Sequence, residues 1–152
     1  MKRILFYSGI LLISILPLII SFNLLYLKDP PIWPDEPVFY DMAKNLTTNN
    51  SLATRIYVGT TSDVKNTGLG YPPLYFYTLS FFTDTFGSDI EMVRNLSLIF
   101  GIFCLVTFFF LVIIIFENKY LALLGTIILS LDIFFARSSR TGRMEISTFF
   151  FM

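Results

Sequence analysis

Two long stretches without a charged residue constrain this chain most. Residues 4–27 carry no charge over 24 positions and follow Lys2 and Arg3, and residues 95–116 carry none over 22. About 20 apolar residues in a helix cross a hydrocarbon core roughly 30 Å thick. Charged residues make up 14% of the chain, against about 25% in soluble proteins. The sequence therefore predicts an all-α, polytopic transmembrane protein.

The predicted organisation is one domain, residues 1–152, with three spans and the start of a fourth. The spans are expected at about 4–27, 93–116 and 120–136, the third interrupted by Asp132. Only three residues, 117–119, separate the second span from the third, which predicts an antiparallel helical hairpin. Residues 146–152 are too few to cross a membrane. We interpret the chain as the N-terminal part of a longer protein.

The membrane orientation follows from the basic N-terminus, which predicts a cytoplasmic start in a bacterial inner membrane or the ER membrane. Residues 28–92 then form an exoplasmic loop with short juxtamembrane helices. Within it, residues 71–83 are apolar and aromatic but too short to span, so they are expected in the interface or as a re-entrant segment. Tyr71, Tyr75 and Tyr77 are expected to keep their hydroxyls in water, in a helix that starts near Pro72 and Pro73.

Three arginines follow the third predicted span. Arg137, Arg140 and Arg143 would lie on the exoplasmic side, where positive charge is normally avoided. Either the orientation is inverted or the arginines bind phosphate at that face. If the stretch is helical, their i+3 spacing forms one cationic face. Glu145 lacks an intrahelical partner at i+3 or i+4.

An acidic pair stands shortly after the first span, in Trp33-Pro-Asp-Glu-Pro37. Pro37 disfavours helical geometry at Glu36, and apolar residues at 38, 42 and 46 predict a helix beyond it. Adjacent acids cannot point the same way, so Asp35 and Glu36 are expected to have different duties. One would face a substrate and the other a cation or a structural partner, although acids in this position are most often helix caps.

Composition excludes several chemistries. The chain has no His and one Cys, so histidine catalysis, His-ligated zinc and intramolecular disulfides are impossible within it. Eleven basic residues balance eleven acidic ones, which excludes a net field that would draw nucleic acid. Among single charges, Asp132 is expected to pair with Arg137 or face the interior. Arg94 is either an interfacial anchor or a helper in the geometry of the acidic loop, and we expect an anchor or a structural ion pair.

Four motifs in this order resemble the N-terminal part of C-type membrane glycosyltransferases. The nearest likeness is to dolichyl-phosphate-mannose protein mannosyltransferases and the aminoarabinose transferases that modify lipid A. The motifs are Asp35-Glu36 with Tyr40 and Ala43, Gly70-Tyr-Pro-Pro-Leu-Tyr75, Arg94, and Ser139-Arg-Thr-Gly-Arg-Met-Glu145. The family more often has Asp where this chain has Glu145, and His where it has Tyr71. The likeness covers nearly the whole chain.

The resemblance implies an inverting transfer of sugar from a polyprenyl-phosphate carrier to a protein or glycolipid acceptor at the exoplasmic face. Asp35 matches the family's catalytic base and Glu36 its second acid, a support or a cation ligand. Arg137, Arg140, Arg143 and Glu145 match the region that binds the lipid phosphate, with Arg94, Tyr71 and Tyr75 as supporting residues. No cofactor is certain. A divalent metal, Mg²⁺ or Mn²⁺, stays open, with Asp35 and Glu36 as its only candidate ligands.

A second hypothesis is not enzymatic. The chain could be a small helical membrane protein that scaffolds or assembles with other membrane subunits. Its acids would then be helix caps and its arginines topology signals. The two hypotheses differ in whether the arginines lie on the exoplasmic or the cytoplasmic side.

Overall fold

The computed structural model describes residues 33–54, 56, 73–87 and 89–151, with positions 9, 12, 15, 16, 19 and 20 of the N-terminal segment. These residues form helices and no strand, which confirms the all-α prediction. The helices are α1 (Asp35–Asn49), α2 (Pro73–Phe86), α3 (Glu91–Phe116), α4 (Lys119–Leu131), α5 (Ile133–Arg140) and α6 (Glu145–Phe151). Most of the predicted first span lies outside the described residues. Tyr71 and Pro72 also lie outside them. Ile15, which is described, packs into the main core.

Helix α1 begins two residues earlier than predicted. Pro34 has helical dihedrals and the Glu36 amide donates to the Trp33 carbonyl oxygen at 2.9 Å, so both acids lie in the first turn. Pro37 is tolerated because the first amides of a helix have no intrahelical acceptor. Val38, Met42 and Leu46 are buried, as their spacing predicted.

Helix α2 starts at Pro73, where the proline pair predicted a helix start. Its aromatic face packs on α1: the rings of Phe39, Tyr75 and Phe76 meet edge to face with centroids 5.4–5.8 Å apart. Tyr77 is 55% exposed, as expected, but Tyr75 is only 3% exposed. The expectation of a water-facing Tyr75 hydroxyl is therefore wrong, because residues two apart on a helix point in different directions.

Helices α3 and α4 form the predicted antiparallel hairpin. Glu117 ends α3 in the left-handed region, with φ of 50°, and its amide donates to the Ile113 carbonyl oxygen. The Asn118 side chain then accepts from the amides of Tyr120 and Leu121 at 2.9 and 3.2 Å, which caps α4. Two residues thus reverse the chain.

The described residues contain one helix that is long and apolar enough to cross a membrane, α3. Its 26 residues extend about 39 Å. Only 33% of its most apolar 18-residue segment is buried in the molecule. Helices α4 and α5 are long and apolar enough to cross a membrane only when taken together, and they are bent by 66° at Asp132. The predicted third span is therefore a broken helix.

Asp132 causes the break in the manner of a helix cap. Its backbone is extended, and its carboxylate accepts from the Phe135 amide at 2.8 Å, which satisfies the first turn of α5. Asp132 is exposed and forms no ion pair with Arg137. The expected pairing with Arg137 or burial is wrong, because a short acid at a helix start reaches the free amides of its own chain.

Candidate functional site

The centre of the site is a buried ion pair between α1 and α3. Glu36 is fully buried, and Arg94, at the start of α3, is 9% exposed. Arg94 donates from Nε to both carboxylate oxygens at 3.2 and 3.0 Å, and its Nη2 lies 2.9 Å from Oε2. Charge-assisted contacts from one guanidinium to both oxygens are the strong form of this interaction. Arg94 is thus the structural ion pair that the sequence suggested.

The backbone amide of Gly142 completes the coordination of Glu36, donating to Oε1 at 2.9 Å. Gly142 lies in the turn between α5 and α6, more than 100 residues along the chain from Glu36. A Cβ there would lie 2.5 Å from Cγ1 of Val93 and 3.0 Å from Cγ of Glu36. Only glycine allows this close approach, so Glu36 joins the first loop to the arginine-bearing turn.

Asp35 points away from this pair. It is partly exposed, and its Oδ2 accepts a hydrogen bond from the indole Nε1–H of Trp33 at 3.2 Å. The expectation that the two acids diverge is met, since Glu36 is enclosed and Asp35 is accessible. Of the two, only Asp35 can contact an incoming molecule.

Trp33 also contacts two of the three predicted arginines. The guanidinium carbons of Arg143 and Arg137 lie 4.4 and 5.2 Å from its ring centroid, within the range of cation–π attraction. Asp35, Arg137 and Arg143 therefore surround one indole. The carboxylate and the arginines, distant in sequence, meet in a single cluster.

Arg137 and Arg140 lie on α5 at the predicted i+3 spacing, but Arg143 does not continue that helical face. Helix α5 ends at Arg140, Thr141 is extended, and Arg143 lies in the following turn. Thr141 and Gly142 redirect the chain, and the Gly142 amide donates to Glu36 there. It is Trp33, rather than i+3 spacing, that brings Arg137 and Arg143 together.

Arg140 and Arg143 retain donor capacity. The Nε atom of each is buried and has no hydrogen-bond partner in the described part of the chain. Burial lowers the pKa of the Arg140 guanidinium, and the nearby charges of Arg137 and Arg94 add to the effect. Buried N–H donors beside other cations form an environment that an anion would stabilise.

Glu145 finds a partner that helix spacing did not predict. Its Oε1 lies 3.1 Å from Nη1 of Arg143, two residues earlier, and the pair is solvent-exposed. Such exposed pairs contribute little to stability.

Tyr75, a predicted supporting residue, is buried in the core of the molecule. Burial raises the pKa of the Tyr75 hydroxyl. The neighbouring Ser97 side chain lowers this pKa in part, and the charges of Glu145 and Glu36 raise it further. The hydroxyl lacks a partner with hydrogen-bond geometry among the described residues. Its observed role is packing against Phe39 and Phe76. Tyr71, the other predicted supporting tyrosine, lies outside the described residues.

The donor set does not fit a metal shared by the two acids. Both oxygens of Glu36 are occupied by Arg94 and Gly142, and an arginine beside a carboxylate repels a cation. Within the described ranges no three acidic or cysteine side chains converge as ligands. Asp35 alone could contact Mg²⁺ or Mn²⁺.

Two residues of the site were not singled out from the sequence. Trp33 is the only tryptophan of the chain, and Gly142 stands between two of the residues predicted to bind phosphate. The signal for Trp33 was its place before Asp35, since an aromatic ring beside an acid and near arginines is a natural platform for cations. The need for glycine at 142 depends on packing with Val93, which no local pattern records.

No protein-family model, curated protein or solved structure matches the chain.

Proposed function

We propose that the chain is the N-terminal part of an inverting membrane glycosyltransferase of the C type, which moves a sugar from a polyprenyl-phosphate carrier to an acceptor. The observation that carries this proposal is the cluster around Trp33, where Asp35 accepts a hydrogen bond from the indole N–H and two guanidiniums lie over the ring. Such a reaction needs a base near the acceptor hydroxyl and, close to it, cations near the leaving phosphate.

In the proposed reaction, Asp35 accepts the proton of the acceptor hydroxyl. The hydroxyl oxygen attacks the anomeric carbon as the bond from that carbon to the phosphate oxygen breaks. The polyprenyl phosphate leaves with the bonding electrons, and the configuration inverts. A single displacement needs no protein nucleophile, which agrees with a site built of carboxylates and guanidiniums.

The arginines are proposed to stabilise the charge that grows on the leaving phosphate. The unsatisfied Nε donors of Arg140 and Arg143 and the exposed Arg137 provide three cations within seven residues of chain. Guanidinium groups bind phosphate through paired N–H donors. Glu36 is proposed as a positioning residue, because Arg94 and Gly142 enclose it completely.

The carrier's lipid chain would lie next to the arginines. A cavity of about 300 Å³ opens at the bend between α4 and α5, lined by Leu129, Asp132, Phe134, Phe135, Ser138, Glu145, Ile146 and Phe149. Its lining is mostly apolar and reaches Glu145, which pairs with Arg143. If the arginines bind the phosphate of the carrier, its polyprenyl chain would lie against this apolar surface.

Further spans are also part of the proposal. The exposed apolar side chains of the α3–α4 hairpin include Phe110, Leu111, Ile114, Leu124 and Ile128. An outward apolar surface of this extent suits lipid contact. We place α3 across the membrane, α4 beside it and α5 at the exoplasmic interface, with the N-terminus cytoplasmic in a multi-pass protein.

The test is Asp35→Asn in the full-length enzyme, assayed in membranes with radiolabelled mannose or aminoarabinose on polyprenyl phosphate. Loss of a general base is expected to lower transfer by roughly 10²- to 10⁴-fold. Asparagine can still accept the Trp33 hydrogen bond, so the fold is expected to persist. Asp84→Asn, an exposed acid on α2, is the matched control and should transfer normally.

Normal transfer by Asp35→Asn at equal expression would remove Asp35 from the base role. If neither donor supports transfer by the unmodified protein, and its partner subunits are recovered instead by cross-linking in membranes, the scaffold hypothesis replaces this one.

A further inference from the structure

Trp33 contacts both halves of the cluster, the carboxylate and the arginines. Its N–H reaches the Asp35 carboxylate at 3.2 Å, while its ring faces the guanidiniums of Arg143 and Arg137 at 4.4 and 5.2 Å. The ring is partly buried. No other described side chain contacts Asp35 by a hydrogen bond, so the orientation of that carboxylate depends on this indole.

We propose that Trp33 is a positioning residue that joins the base and the arginine pair into one unit, so that a lipid phosphate bound by the arginines is sensed at the indole. This inference rests on the proposed function. It adds a residue and a coupling that the resemblance does not supply.

The ring would serve the arginines as a neutral platform. Two guanidiniums repel each other, and a shared electron-rich face offsets part of that repulsion while leaving their N–H edges available. A phosphate that engages those edges would shift the guanidiniums relative to the ring. The indole therefore experiences a change in local charge when the phosphate binds.

The N–H group would serve Asp35. A hydrogen bond to one carboxylate oxygen fixes the plane of the carboxylate and leaves the other oxygen for the acceptor proton. Removing it should impair the chemical step more than donor binding. Removing the ring as well should also weaken the arginine site.

The first experiment uses the fluorescence of Trp33, the only tryptophan in these 152 residues, in full-length protein whose tryptophans outside them are replaced by phenylalanine. The purified protein in detergent is titrated with undecaprenyl phosphate, and with undecaprenol as the lipid lacking phosphate. We expect a saturable change in emission with the phosphate alone. The change should be lost in Arg143→Gln and kept in Lys44→Gln, which removes a cation stacked on Tyr40 instead. No change, or equal changes with both lipids, would overturn the coupling.

The second experiment separates the two contacts kinetically in the full-length enzyme. Trp33→Phe keeps a ring but lacks the N–H, so kcat is expected to fall by roughly tenfold at unchanged donor KM. Trp33→Leu lacks both and should also raise the donor KM. A merely structural role would move kcat and KM together in both variants, and that result would reject the proposal.

The two proposals fail differently. Normal kcat in Trp33→Phe, with Asp35→Asn inactive, would reject the role of Trp33 and leave the glycosyltransferase proposal intact. Activity retained by Asp35→Asn would reject the general-base proposal whatever Trp33 does.

Discussion

Two neighbouring acids have opposite environments at the residue scale. Glu36 is fully buried and accepts from Arg94 and Gly142, whereas Asp35 is partly exposed and accepts from Trp33. A buried charge is tolerated only when it is paired and hydrogen-bonded, and Glu36 meets both conditions. The difference gives Glu36 a structural role and leaves Asp35 accessible.

Glu36→Gln is expected to destabilise the protein strongly. It leaves the buried Arg94 charge without the Glu36 carboxylate, and breaking a buried pair costs about 3–5 kcal/mol. The free energy of unfolding in detergent measures the loss. Glu145→Gln is the matched control, because its pair with Arg143 is exposed and should contribute less than about 1 kcal/mol. Equal losses in the two variants would contradict the structural role of Glu36.

The sequence could predict the divergence of the acids but not their partners. Adjacent residues on any regular backbone point apart, so different duties for Asp35 and Glu36 followed from chemistry alone. Which acid would be buried depended on Gly142 and Arg94, both far along the chain. The contacts of Trp33 were missed for the same reason, since they join residues about 100 positions apart.

At the scale of elements, the turn between α5 and α6 and the start of α6 pack along the first four turns of α3. The buried Ser97 hydroxyl donates to the Arg143 carbonyl oxygen at 3.3 Å. The Cys104 sulfur lies 3.8 Å from the Ile146 carbonyl oxygen. Gly142 lies against Val93 and Glu36. These contacts hold the arginine-bearing turn on the same helix that carries Arg94.

Gly142→Ala is expected to displace this turn. The new Cβ would lie 2.5 Å from Val93 Cγ1, an overlap of the kind that costs about 1–3 kcal/mol. The melting temperature should fall, and Val93→Ala in the same protein should restore part of it. Gly125→Ala on α4 is the control, because its Cβ meets Phe108 at an ordinary 3.4 Å. A melting temperature unchanged by Gly142→Ala would show that the turn is not closely packed.

Elements with a local cause were predictable. The α3–α4 hairpin, the start of α2 at Pro73 and the buried face of α1 followed from charge spacing, proline chemistry and helical periodicity. The start of α1 was predicted too late, because a proline in the first turn is compatible with a helix. The 66° bend at Asp132 and the departure of Arg143 from α5 depend on capping and tertiary contacts, which periodicity does not reveal.

At the scale of the whole molecule, the polar groups of the α3–α4 hairpin lie at its two ends. Glu91 and Arg94 lie at the start of α3, where Arg94 contacts Glu36 of α1, while Glu117 and Asn118 lie at its far end. Because α4 returns antiparallel, α5 and the arginines come back to the end that holds Glu36. The acids and arginines therefore share one side of any membrane that α3 crosses, whichever way the chain is oriented.

The central claim is that this shared side is exoplasmic, and side-specific labelling of single cysteines tests it most directly. In a Cys104→Ser background, Asp89→Cys and Ser138→Cys are expected to react with an impermeant maleimide added outside intact cells or spheroplasts. Tyr120→Cys, at the opposite end of α3, should react only after the membrane is opened. Labelling of positions 89 and 138 from opposite faces, or of both from the cytoplasmic face alone, would contradict the account.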